Sequence, residues 1–286
     1  MTSIIIPAFN ESAVIARTLK SILTGAKPGE IEVIVVCNGC TDDTAEVAKA
    51  VNGPIRVIQT PVGKKTGALN LGDEAAVGFP RVYVDADVLI TIDVIRAMAD
   101  RLSPGDVLAV SPTAKVDLSG CSWAVRAVYE IRALLPSSRE GIGGSGVYAL
   151  SKAGRERFRD FPNVTADDGF VRIQFTPAER ETLSSVQSIV FPPRRLSDLV
   201  VTKTRAHYGS LELAQEFPAL WKNRGVANDQ SLLKLFKFPS LWVKLIVYCA
   251  VTIIAKKRAN ERLRKRSFTW QRDETSRVAA SHFGAR

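Results

Sequence analysis

Histidine is nearly absent. His207 and His282 are the only two in the chain, which leaves no material for a histidine-based triad or a histidine metal cage. Cysteine is also scarce, with four in 286 residues. That is too few for a disulfide framework in a chain of this length, and a reducing cytoplasm is the expected compartment. Cys37-Asn38-Gly39-Cys40 has the spacing of a redox pair but lacks the aromatic and proline neighbours of one, and no second Cys or His pair completes a zinc site. A secretory leader is not expected either. Met1-Thr2 runs straight into Ser3-Ile4-Ile5-Ile6-Pro7 with no basic segment before it. The greater part of the chain also lacks net charge: residues 1–221 hold 24 Lys+Arg against 25 Asp+Glu, whereas residues 222–286 hold 15 against 4. A neutral body argues against nucleic acid as a partner and confines the basicity to the C-terminal part.

The chain does have alternating order. Ser3–Pro7, Glu32–Cys37, Ile55–Gln59 and Arg81–Asp85 read as apolar strands. Between them lie helices: one capped by Glu11-Ser12 and carrying Val14, Ile15, Leu19, Ile22 and Leu23, one starting at Thr41 or Asp42, and one running through Ala76. Further on, Ile92–Arg101, Ser122–Leu135 and Lys152–Arg159 read as helices, Val107–Ser111, Val147–Leu150 and Val186–Phe191 as strands, and a short helix follows Asp167-Asp168. Repeated β-α units with apolar strands predict an α/β fold with a mainly parallel sheet covered on both faces. Ligands of such sheets sit beyond the carboxyl ends of the strands. Every loop of unusual chemistry lies there: Ala8-Phe9-Asn10-Glu11, Asn38–Asp42, Lys64-Lys65-Thr66-Gly67 and Asp85-Ala86-Asp87.

The last of these loops is the centre of the argument. Val82-Tyr83-Val84 runs into two carboxylates spaced two apart. If the strand stays extended through Asp87, both acids point to one side. Hard oxygen ligands at a strand end suit Mg²⁺ or Mn²⁺, which share their coordination shell with substrate phosphates. The plainer alternative is a strand ending in two solvated acids.

The motifs in order resemble those of the family 2 glycosyltransferases, inverting enzymes of the GT-A fold that use nucleotide-sugar donors. Ile5-Ile6-Pro7-Ala8-Phe9-Asn10-Glu11, Gly39–Thr44, Lys65–Gly72, Val84–Asp87, Gly144-Ser145-Gly146 and Asp167-Asp168 carry the resemblance, which extends over about residues 2–220. It implies that Pro7, Ala8, Asn10, Glu11, Asn38 and Asp42 bind the nucleoside, with Lys65 on the diphosphate and Lys64 as its rival. Asp87 is the first choice for direct metal ligand; Asp85 then meets the ribose or reaches the metal through water. Asp168 takes the position of the base that removes the acceptor hydroxyl's proton, and Asp167 stands behind it or caps the helix near Gly169. Gly144, Ser145 and Arg205 fall on the acceptor side. One base and one displacement imply inversion at the anomeric carbon. In place of the acids that many relatives carry before Gly39, this chain has Cys37-Asn38. An asparagine amide both donates and accepts, so a UDP-sugar remains the expected donor.

Two readings compete with a transferase. A sugar-1-phosphate nucleotidyltransferase would want a Gly-rich phosphate loop after the first strand, where Ala8-Phe9-Asn10-Glu11 stands. A non-catalytic membrane-associated binding protein would tolerate loss of Asp87 and Asp168. Gly141-Ile142-Gly143-Gly144-Ser145-Gly146 satisfies a dinucleotide pattern but opens into a strand instead of a helix.

The expected organisation is a GT-A domain over residues 1–221 and a helical, basic and apolar extension over 222–286. From Ser240 to Ala255 the apolar stretch has 16 residues including Lys244. As a helix it would be about 24 Å long, short of the ~30 Å hydrocarbon core. Lys256-Lys257-Arg258 and Arg262–Arg266 follow. An interfacial helix attracted to anionic lipid on the cytoplasmic face of the cell membrane fits this pattern. It suggests a saccharide acceptor that is lipid-linked. The alternative is a helix packed on the body with a solvated basic end.

Overall fold

The computed structural model describes residues 1–139, 142–225 and 228–265. In chain order the elements are β1 (Thr2–Ala8), α1 (Ile15–Leu23), β2 (Ile31–Asn38), α2 (Thr44–Lys49), β3 (Ile55–Thr60), α3 (Lys65–Ala75), β4 (Arg81–Val84), α4 (Ile92–Leu102) and β5 (Ala109–Val116). They continue with α5 (Trp123–Ala133), β6 (Val147–Leu150), α6 (Lys152–Arg155), α7 (Asp167–Gln174), β7 (Arg180–Val190), α8 (Leu196–Glu216), α9 (Asp229–Leu235) and α10 (Trp242–Arg264). The strands form one seven-stranded sheet in the order β3-β2-β1-β4-β6-β5-β7. β3, β2, β1 and β4 are parallel, as are β5 and β7; β6 runs antiparallel between β4 and β5. The expected α/β class and mainly parallel sheet are present.

Alternation along β1 builds the two layers. Ile4, Ile6 and Ala8 face a core shared with α1, α2 and α4, while Ile5 faces the opposite core with α3 and α7. Gly72 lets α3 lie close on the sheet, since a β-carbon there would come within 2.5 Å of Ile5 Cγ2. Asn70 of α3 braces a distant loop: its Oδ1 accepts from Phe161 N (2.8 Å) and its Nδ2 donates to Phe161 O (3.1 Å). The Lys65–Gly72 motif is thus partly a packing device.

Several boundaries differ from expectation for local reasons. The helix expected to cap on Glu11-Ser12 starts at Ile15; no side chain caps it, and the Glu11 carbonyl accepts from Val14 N and Ile15 N. The second helix begins at Thr44, whose N–H donates to Asp42 Oδ1 (3.1 Å). Asp167 does not cap α7. It is the first helical residue, Ala166 holds the cap position, and burial turns the Asp167 carboxylate inward. α6 stops at Arg155, whose guanidinium reaches forward to the carbonyls of Phe158 (2.7 Å) and Arg159 (2.8 Å) and ties the chain off. β7 starts six residues earlier than expected, because Arg180-Glu181-Thr182 is polar and yet pairs with β5.

The C-terminal helix is longer than the apolar count allowed. α10 continues through Lys256-Lys257-Arg258 to Arg264, giving 23 residues and about 35 Å of helix. By length and composition alone the segment Pro239–Arg264 could cross a membrane. Leu245, Tyr248, Val251, Ala255 and Ala259 line its buried side; the first three share a core with Val125, Val128 and Ile131 of α5 and Leu199 and Val200 of α8. The other side exposes Trp242, Val243, Ile246, Ile253 and Ile254.

Candidate active site

The site is assembled where β1 and β4 end. β4 stops at Val84, and the chain turns there instead of continuing extended: Val88 N donates to Asp85 O (3.1 Å) and Asp85 N donates to Gly146 O (2.8 Å). The condition for two parallel carboxylates therefore fails. Asp85 faces a cavity, while Asp87 sits beside Arg17, whose Nη2 donates to the Asp87 carbonyl (3.3 Å). Gly146 makes this contact between β6 and the turn possible. It adopts φ +65°, and a β-carbon on it would fall 2.4 Å from Val88 Cγ2 and 3.3 Å from Asp85 Oδ2.

The cavity, about 310 Å³ including its open mouth, is lined by Pro7, Lys65, Asp85, Ser145, Tyr148, Asp167 and Asp168 among others. Lys65, the first residue of α3, joins its acids. Its Nζ lies 2.7 Å from Asp85 Oδ1 and 3.0 Å from Asp167 Oδ1. Burial works against the Lys65 charge, but Asp167 and Asp85 outweigh it and hold the ammonium above the ordinary lysine range. Asp167 is pushed up to about 6, first by burial and then by Asp168 and Asp85, with Lys65 opposing them. Asp168 is half-buried beside it, and its Oδ1 accepts from Gly169 N (2.7 Å).

The expected residues separate into groups. Pro7, Lys65, Asp85, Ser145, Asp167 and Asp168 meet in this cavity; Asp87 and Arg205 do not line it, and Gly144 lines a neighbouring one. The Ser145 hydroxyl is not directed at an acceptor, since it donates to Val147 O (2.6 Å) inside its own loop. Ala8, Asn10, Glu11, Asn38 and Asp42 form a separate zip between the first two loops. Asn10, at φ +55°, accepts at Oδ1 from Thr41 N (2.7 Å); Asp42 Oδ2 accepts from Ser12 N (3.2 Å); Cys40 Sγ donates to Ala8 O (3.3 Å). Glu11 and Asn38 are buried beside them. The Cys37 thiol is pushed up to about 12 by burial and by Cys40, the opposite of a reactive thiolate. Gly141 of the dinucleotide-like pattern lies outside the described residues.

Two groups escaped the sequence reading. The Tyr148 hydroxyl, on the cavity wall, is buried with no hydrogen-bond partner among the described residues. A tyrosine in a short apolar strand reads as core, and nothing local marks it. Beneath the cavity, Asp73 of α3 accepts from Tyr83 OH (2.9 Å to each oxygen), pairs with Arg81 (3.4 Å) and pairs with Arg155. Tyr83 in turn stacks on Tyr148, ring centroids 4.8 Å apart.

The family model described as glycosyl transferase family 2 matches residues 3–146. The chain belongs to glycosyl transferase family 2. It is therefore a nucleotide-sugar-dependent glycosyltransferase, as the family resemblance implied, with the match covering residues 3–146. Among solved structures it is similar to the mannosyltransferase PcManGT from Pyrobaculum calidifontis in complex with GDP-Man and Mn²⁺, with TM-score 0.60, 22% identity, and coverage of 98% of this chain and 79% of that one. S. aureus TarS 1-349 in complex with UDP-GlcNAc gives TM-score 0.53 at 16% identity, covering 94% and 93%. M. tuberculosis glucosyl-3-phosphoglycerate synthase gives 0.55 at 21%, covering 75% and 80%. These likenesses establish the GT-A fold for this family 2 chain. No curated protein matches the chain.

Do the residues suit a divalent cation? Among the described residues no cluster of three or more His, Cys, Asp or Glu could hold a metal. The carboxylates at the turn are Asp85, which faces the cavity with 39% of its side chain exposed, and Asp87, which does not line it. That is too little for a closed all-protein cage. It fits Mg²⁺ or Mn²⁺, which bind through one or two carboxylates and complete their shell with water and phosphate oxygens.

Proposed function

We propose that this enzyme moves a sugar from a nucleotide donor, a UDP-sugar first, to a hydroxyl of a saccharide or lipid-linked acceptor with inversion at the anomeric carbon. One observation carries the reading: Asp168, Asp167, Lys65, Asp85 and the unpartnered Tyr148 hydroxyl share one cavity beyond the ends of β1 and β4. Asp168 is the base. Its carboxylate is half-exposed and accepts the acceptor's proton as the oxygen attacks, so the nucleophile forms only where the sugar waits. Asp167 is a positioning residue that, through Lys65, ties α7 to the Asp85 turn. The loop zip around Asn10, Asn38 and Asp42 shapes the nucleoside pocket. Asp85 and Asp87 would hold Mg²⁺ or Mn²⁺, which as a Lewis acid offsets the charge growing on the departing nucleoside diphosphate.

The test is a panel of UDP- and GDP-sugars with Mn²⁺ or Mg²⁺ and saccharide or lipid-linked acceptors, scored by nucleoside diphosphate release. Acceptor-dependent release supports the reading. Synthesis of nucleotide sugar from sugar phosphate and nucleoside triphosphate would establish a nucleotidyltransferase instead.

The C-terminal segment supports a second part of the proposal: residues 222–286 dock the enzyme peripherally on the cytoplasmic face of an anionic membrane. The exposed apolar side of α10, with Lys256, Lys257 and Arg258 following it, has the composition of an interfacial helix. The full chain is expected to cosediment with phosphatidylglycerol vesicles, less so at high salt, and to lose most of that binding on joint Ile246→Glu and Ile253→Glu substitution. Equal sedimentation with neutral vesicles, or no effect of the substitutions, contradicts it.

A further inference from the structure

We propose that the Tyr148 hydroxyl binds a sugar hydroxyl in the cavity beside Asp168 and so helps to select which sugar the enzyme accepts. The inference deepens the transferase reading and rests on it for placing a sugar in this cavity.

Tyr148 lies inside β6, and the alternation of that strand fixes its direction. Val147 and Ala149 belong to the core shared with α1 and α4, whereas Tyr148 and Leu150 belong to the opposite one. Two residues earlier, Gly146 O accepts from Asp85 N (2.8 Å), so the strand that carries Tyr148 also holds the Asp85 turn. Tyr148 is paired across the strands with Tyr83 of β4, and their rings stack with an interplanar angle of 23°. The two phenols end differently. Tyr83 OH is held by both oxygens of Asp73, as a tyrosine packed in a core should be. Tyr148 is equally buried and lines the cavity, yet its hydroxyl meets no partner among the described residues. An unpaired buried hydroxyl is a cost to the fold, and a ligand in the cavity removes it.

The neighbours limit what that ligand is. The cavity sets Asp85, Asp167 and Asp168 around the Lys65 ammonium. An anionic group brought to Tyr148 would face those carboxyl groups. An apolar group would leave the phenol unpaired. An alcohol hydroxyl accepts from the phenol and donates its own proton to a carboxylate, which satisfies both sides at one atom. Burial, followed by Asp167, Tyr83, Asp168 and Asp85, raises Tyr148 well above the ordinary tyrosine range, so the phenol keeps the proton it donates. Leu69, Tyr83 and Val147 add an apolar wall. Apolar walls with a few placed polar groups are what orient a small ligand, and a sugar ring offers hydroxyls on a carbon frame. The hydroxyl comes from the transferred sugar or from a saccharide acceptor. A buried water is the rival occupant.

The test is calorimetric titration of the full chain in Mn²⁺ with UDP and GDP, and with UDP-glucose, UDP-galactose, UDP-N-acetylglucosamine and GDP-mannose. Methyl glycosides of the same sugars are titrated at saturating UDP or GDP. At least one nucleotide sugar is expected to bind more tightly than its nucleoside diphosphate. Tyr148→Phe should cut that advantage about three- to tenfold, the loss of one hydrogen bond, with nucleoside diphosphate affinity kept within about twofold. One monodeoxy form of the preferred sugar should lose the same factor in wild type and nothing further in Tyr148→Phe. Loss confined to a methyl glycoside marks the acceptor's sugar instead; both results support the site. Removing an unpaired hydroxyl should leave Tm unchanged or raise it, whereas Tyr83→Phe, which loses the Asp73 bond, should lower it. Unchanged nucleotide-sugar and glycoside affinities in Tyr148→Phe overturn the inference, as does a wild type for which no sugar adds affinity and no glycoside binds. A lower Tm with equal loss of nucleoside diphosphate and nucleotide sugar also overturns it and gives the phenol to a structural water. If wild type binds a glycoside but no nucleotide, the donor reading fails and the Tyr148 site stands.

Discussion

Asp168→Asn is expected to lower kcat by about 10²–10⁴-fold, the usual contribution of a positioned general base, with donor affinity changed by less than about twofold. The substitution is close to isosteric. Its side-chain oxygen can still accept from Gly169 N, the bond that now fixes Asp168 at the start of α7, so the fold and the cavity shape are retained. What disappears is the ability to take a proton. Asp167 cannot replace it, because that carboxylate is only 6% exposed and is paired with Lys65. Steady-state kinetics with direct donor-binding measurements check the prediction. A fall in donor affinity with kcat preserved would move Asp168 from the acceptor side to the donor side.

The largest expected effect on stability is at Asp73. Its side chain is 8% exposed, and it is surrounded by Arg81 (9%), Arg155 (15%) and the Tyr83 hydroxyl. Asp73→Ala removes the acid that Arg81 and Arg155 share and leaves two guanidinium groups in the interior. Breaking a buried pair by deleting one partner costs about 3–5 kcal/mol. For a chain of this size each kcal/mol lowers Tm by about 2–4 °C, so a drop of roughly 6–20 °C is expected. Urea denaturation of the full chain checks it, and a loss below about 1 kcal/mol would show that water reaches the arginines.

The same residues show how far the chain could be read before its structure. β1 and β2 are continuous apolar runs in the middle of the sheet, with both faces covered, and periodicity alone locates them to within a residue or two. β7 resisted because its first half is polar, and only pairing with β5 makes it a strand. The loops at the carboxyl ends were legible as a set, since topology puts every such loop on one side of the sheet. Their internal geometry was not. Whether the chain turns at Asp85 or runs on to Asp87 depends on the Gly146 carbonyl arriving from β6, 61 positions later. Asp167 looked like a cap because its neighbours are helical, and burial against Lys65 decides otherwise. Tyr148 and Asp73 carry no local mark at all, because their importance lies in partners distant in sequence. The full length of α10 is not legible from its apolar stretch, which ends at Ala255, because lysine and arginine continue a helix readily.

The central claim is that the Asp85–Asp87 turn and Asp168 act on one nucleotide sugar, the turn through a divalent cation and Asp168 through a proton. The most direct measurement is the initial rate of nucleoside diphosphate release by the full chain as Mn²⁺ is titrated after exhaustive chelation. The expected result is no acceptor-dependent release without metal, a saturable rise with it, and loss of that rise on joint Asp85→Ala and Asp87→Ala substitution. Full-rate release in excess chelator, or a metal response unchanged by the double substitution, would contradict the account.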